Sequence, residues 1–100
     1  MHAKLLSQVA ALNAAGVTVA NYCSQFTVYC TGDTGVTAGK VKILTAPTHD
    51  YAGTWHLLKE FTVINGGTEI YQFYGPVGAV KAIVSTLVEN GHVDIDLWGW

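Results

Sequence analysis

Apolar and acidic positions alternate through Val93-Asp94-Ile95-Asp96-Leu97, which puts three aliphatic side chains on one face and two carboxylates on the other. That is the period of a strand with one buried face. Residues 40–44 repeat it, with Lys40 and Lys42 outward and Val41 and Ile43 inward, and so do residues 17–19. Residues 25–30 are rich in β-branched and aromatic side chains and read as a strand, while residues 54–58 and 60–64 are extended candidates. Residues 69–74 follow Asn65-Gly66-Gly67, a type I′ signature that predicts a hairpin. On that return strand Tyr71 and Phe73 share the core side and Tyr74 points away. Residues 31–39, with three glycines, form a loop, and residues 46–53, with Pro47, Asp50 and Gly53, form a turn region.

Two segments break the period. Residues 4–15 set Leu5, Val9 and Leu12 on one helical stripe with Gly16 in the stop position, which predicts a helix. Residues 79–88 also carry a helical stripe, through Val80, Ile83, Val84, Leu87 and Val88. Five of their β-branched side chains, Val80, Ile83, Val84, Thr86 and Val88, favour a pleat instead. Periodicity alone leaves that segment balanced between helix and strand.

One hundred residues make one domain. Only 12% are charged and the net charge is −2, so the surface lacks the clustered cations that nucleic acid requires. The cations are Lys4, Lys40, Lys42, Lys59 and Lys81, and arginine is absent. Sparse charge instead points to a surface covered by further copies of the chain or by a partner. No apolar run reaches the ~20 residues of a membrane span, and Ser7, Gln8 and Asn13 interrupt any leader-like stretch, so neither a membrane nor a signal peptide is expected. Cys23 and Cys30 on one extended segment would stand too far apart for a disulfide, and they do not make a zinc set.

The order of motifs resembles a group of small tailed-bacteriophage virion proteins of β-sandwich type, decoration (cement) subunits among them. The resemblance rests on residues 17–19 and 26–28, then 39–43, then Thr48-His49-Asp50-Tyr51-Ala52-Gly53-Thr54-Trp55, then 78–85, and finally 91–97. It departs at Lys81, where arginine is more usual, and at Ala46-Pro47. The resemblance implies an all-β, antiparallel, jelly-roll-like sandwich of about eight strands over residues 16–100. Residues 1–15 would form a short helix or arm, and residues 79–85 would pair in a hairpin with the last strand. It further implies a non-enzymatic virion protein without cofactor that assembles with itself and with a major capsid protein. The alternatives are a carbohydrate-binding sandwich on a tail or surface appendage, and a small α+β regulatory protein should 4–15 and 79–89 both be helical.

Candidate chemistry is thin. His49, Asp50 and His56 fit a metal or acid–base cluster, or more simply an Asx turn beside a solvated histidine. Asp94 and Asp96 share a face but lack the cleft that glycoside hydrolysis needs. Lys40 and Lys42, also two apart, are placed to face them across the sheet or across a subunit boundary. Tyr51 and Trp55 are candidates for a sugar platform. Trp98 and Trp100 are expected to dock on the domain or on a neighbour.

Overall fold

The computed structural model describes residues 1–20, 23–75 and 77–100. Eight strands follow in order: β1 (His2–Val9), β2 (Ala15–Val19), β3 (Gln25–Gly32), β4 (Ala38–Ala46), β5 (His56–Thr62), β6 (Thr68–Tyr74), β7 (Ala79–Glu89) and β8 (Val93–Gly99). They form two four-stranded antiparallel sheets, ordered β1-β8-β3-β6 and β2-β7-β4-β5. Strands pair as nested sets, first with last and second with seventh, inward to the β4–β5 hairpin. That nesting is the strand order of a jelly roll, as the resemblance implies. Among the described residues no helix is long and apolar enough to cross a membrane.

The core forms where the inward sides of the sheets meet. Phe26, Val28, Cys30, Phe73, Val93, Ile95 and Leu97 face Val41, Ile43, Phe61, Val80, Ala82, Val84 and Val88, in one buried cluster. Phe26 and Phe73 lie directly opposite on β3 and β6, and their rings stack at 4.8 Å. Each such fully buried side chain contributes about 1.5–3 kcal/mol, which makes the two-faced alternation decisive for the fold.

Four expectations need correction, and nested pairing explains most of them. Residues 79–89 are a strand, but β7 pairs with β2 and β4 while β8 pairs with β1 and β3. The link between β7 and β8 therefore crosses between sheets and closes no hairpin. Asn65-Gly66-Gly67 likewise carries the chain from β5 in one sheet to β6 in the other. Gly66 adopts a positive φ of 62°, and its amide donates to the Asp33 carbonyl at 2.9 Å, but Asn65 does not take a positive φ, so the segment turns without the type I′ geometry its residues predict and without pairing the flanking strands. Residues 54–58 and 60–64 merge into a single strand, β5. Lastly, residues 4–15 are not helical and do not stand off as an arm: His2–Val9 is an edge strand hydrogen-bonded to β8, and the sandwich begins there rather than at residue 16.

The helical look of that first segment has a specific cause. The β1–β8 register slips between Lys4 and Leu6 and again between Leu6 and Val9, so β1 carries extra residues. Such bulges turn adjacent side chains to the same side, and Leu5 and Leu6 are both buried. An apolar pattern at 5, 6 and 9 mimics a helical face. Gln8, at φ 48°, completes the distortion, and Leu12 ends up exposed in the following turn.

Candidate functional site

The outer face of the β1-β8-β3-β6 sheet gathers the chain's most chemically varied surface. Antiparallel register sets its rows. Trp98 lies opposite His2 on one side and Thr27 on the other; Asp96 lies between Lys4 and Tyr29; Asp94 lies opposite Thr31, which in turn faces Thr68. Trp98 continues the outward phase of Asp94 and Asp96 along β8, so the strand that fills the core inward displays two carboxylates and an indole outward.

These side chains are held in place. The His2 imidazole stacks on the Trp98 indole with centroids 4.1 Å apart and planes 19° from parallel. His2 Nε2 lies 3.1 Å from Asp96 Oδ1, which ties the same imidazole to the carboxylate in the next row. Lys4 Nζ sits 3.5 Å from both Asp94 Oδ1 and Asp96 Oδ2. Partial desolvation works against the lysine's charge, and the two carboxylates outweigh it, so its pKa is raised. Gln8 donates to Asp94 through its backbone amide at 3.0 Å and its side chain at 2.6 Å, and reaches Asp33 Oδ1 at 3.2 Å. Asp33 also accepts from the His92 amide at 2.9 Å. The Gln8 bond, then the His92 bonds, hold the Asp33 carboxyl below the ordinary carboxylate range. The Thr31 and Thr68 hydroxyls bond each other at 3.1 Å. Between these groups lies an open depression of about 380 Å³ lined by His2, Tyr29, Thr31, Thr68, Asp96 and Trp98.

A second depression of about 320 Å³ opens at the end of the other sheet, beside Pro47, Tyr51, His56 and Val77. Tyr51 in its lining accepts, through its carbonyl, a hydrogen bond from the Trp55 indole N–H at 3.0 Å. Lys81 Nζ lies 4.4 Å from the Trp55 ring centroid and covers one face of that indole. Asp50 stays local: bonds from Thr48 and from its own backbone, together with nearby His49, hold its carboxyl low, as an Asx-type turn does. Among the described residues no group of three or more His, Cys, Asp and Glu is placed to hold a metal ion.

Lys40 and Lys42 do not face Asp94 and Asp96 within the chain. They stand on the outer face of the opposite sheet, where Lys42 registers with Glu60 and Lys40 with Thr62. The partner of the two aspartates is Lys4, delivered by β1, the strand whose spacing predicts a helix. Trp100 is held through its backbone, which exchanges bonds with Gln25 at 3.1 Å in both directions, while its side chain is 63% exposed. Tyr29, His2, Thr31 and Thr68 were missed as site residues, because only the strand order unites them; the legible signal was the outward phase of Trp98 on β8 and of Tyr29 on β3.

The fold is shared with solved proteins. The SPBc2 prophage-derived protein YomS superposes with a TM-score of 0.71 at 15% identity, over 97% of this chain and 88% of that one. The PBSX exported protein XepA gives 0.60 at 12% identity over 97% of this chain, which spans 36% of XepA. CBM29_1, a family 29 carbohydrate-binding module from Piromyces equi, gives 0.51 at 8% identity, over 99% of this chain and 91% of that one. At these identities the likeness is one of architecture. No protein-family model matches the sequence, and comparison with curated proteins finds no relative.

Proposed function

We propose that this chain is a non-enzymatic structural subunit of a phage particle that works by contact, in the manner of a capsid decoration subunit bridging neighbouring capsomers. The observation that carries the reading is the exposed apolar surface of a sandwich with few charges. Val17, Val19, Leu57 and Leu87 stand out on one sheet and Ile70, Tyr74, Trp98 and Trp100 on or beside the other, each more than two-fifths exposed. A surface of this kind suits burial against protein rather than free solution. The architecture it shares with YomS, a prophage-derived protein, and with part of XepA supports the phage setting. In this role the protein adds buried area at joints between capsomers, and a joint of ordinary size buries about 1,200–2,000 Å². Trp100, anchored by its backbone and free at its ring, is the side chain best placed to enter such a joint.

Sedimentation of intact particles from a producing culture tests the role. The chain is expected to travel with the particles in stoichiometric amount and to map to the head surface by immunogold labelling. Recovery only in the soluble fraction would reject the proposal.

A further inference from the structure

We infer that the depression between Trp98 and Tyr29 is a binding site for a neutral saccharide. Its lining has the two kinds of group a pyranose needs together. The sugar's C–H face packs on an aromatic ring, and its hydroxyls, each donor and acceptor at once, need partners of both kinds around that ring. Trp98 and Tyr29 supply the rings. Asp96 supplies acceptor oxygens, and the Thr31–Thr68 pair supplies two hydroxyls 3.1 Å apart, each with hydrogen-bonding capacity left over.

Three observations narrow the ligand class. Asp96 lies in the lining, and the neighbouring cation, Lys4, is already shared between Asp94 and Asp96 at 3.5 Å from each, so an anionic ligand meets a carboxylate whose cation is committed to two aspartates. The volume, about 380 Å³, lies at the small end of the ~300–1,000 Å³ typical of ligand clefts, which suits one or two sugar rings rather than a folded partner. The aromatic wall is also pre-set: His2 stacks on the indole and binds Asp96 through the same imidazole, so ring and carboxylate are positioned before any ligand arrives. What sets the site apart from Tyr51 and Trp55 is that both of its rings line one depression, whereas the depression beside Tyr51 is lined without Trp55 among the described residues. The inference goes beyond the particle role and stands independently of it, since a chain absent from particles would still present this face.

The test is a binding titration of the full chain against neutral disaccharides (cellobiose, maltose and lactose) with sialyllactose as the anionic comparison, read by amide chemical shifts. At least one neutral sugar is expected to bind, shifting amides of β3, β6 and β8 around Tyr29, Thr68 and Asp96, with sialyllactose weaker. Trp98→Ala should weaken binding about tenfold or more, while Trp55→Ala leaves it intact. Should Trp98→Ala melt early, the near-isosteric Asp96→Asn decides the point, with an expected loss of similar direction. Absence of shifts with every neutral sugar, shifts confined to residues 45–56, or unchanged binding in Asp96→Asn and Trp98→Ala would each overturn the inference. Particle sedimentation is a separate readout, so failure here leaves the structural role standing and the reverse also holds.

Discussion

Gly16→Ala tests whether the first strand belongs to the sandwich. Gly16 sits on β2 where the edge of one sheet approaches β1, the edge of the other. A Cβ added there would lie 1.9 Å from the Leu5 carbonyl oxygen and 2.8 Å from its carbon. Both are backbone atoms within a bulged strand, so no side-chain rotation relieves the clash; β1 itself must move away by more than an ångström. Overpacking of this kind costs about 1–3 kcal/mol. Restricting the unfolded chain by replacing glycine returns about 0.4–1 kcal/mol. Taking the middle of each range, the net loss is about 1.3 kcal/mol, and at about 4–8 °C per kcal/mol for a domain of this size the melting temperature should fall by roughly 5–10 °C. The assay is thermal unfolding followed by circular dichroism, with hydrogen exchange of the β1 amides alongside. Val17→Ala, one position on and exposed, should stay within about 0.5 kcal/mol of the parent. An unshifted melt with fully protected β1 amides would refute the close approach, and an unshifted melt with unprotected ones would restore the free arm.

Trp100→Ala should melt with the parent, because the ladder uses only its backbone, yet reduce co-sedimentation with particles; equal recovery would remove Trp100 from the joint. Asp33 is held below the ordinary carboxylate range, so its contacts with Gln8 and His92 favour the fold above about pH 4 and fade as acid titrates it through its lowered folded value. Asp33→Asn should therefore melt below the parent at neutral pH and converge with it in strong acid, and a pH-independent gap would contradict this. Burial, with Glu69 nearby, pushes the Cys30 thiol up to about 12, whereas Cys23 is half-buried. A disulfide exchange reagent should label one thiol readily in the native protein and the second only on unfolding.

Legibility divided along a physical line. Period two is a local property, and it located β4 and β8 with their inward and outward sides. Where a bulge broke the phase, as at Leu5 and Leu6, the same reading produced a helix. Strand β7 is a different case, since its stripe and its β-branched side chains balance and only the resemblance to a sandwich favours the pleat. Partnership was another matter: Asn65-Gly66-Gly67 marks a turn, with Gly66 at positive φ, but whether the chain turns back into the same sheet or over to the other depends on strands dozens of residues away. The site inherits that limit. Trp98 was legible as a residue with work to do; its companions Tyr29, His2, Thr31 and Thr68 come from three other strands and meet only through the order β1-β8-β3-β6.

Nested pairing also shapes how the protein reaches its native state. Of the neighbours each strand needs, only β4 and β5 are adjacent in sequence, so the other ladders must close large loops before they gain anything in return. β1 is the extreme case, since its sole ladder partner is the last strand. Until β8 arrives, Leu5 and Leu6 lie on an unpaired edge that carries one lysine, which is the exposed kind of strand that seeds misassembly. The conformational search is thus expected to be slow for a domain of this length, and an interrupted chain lacking β8 leaves the first sheet open at its second position, between β1 and β3.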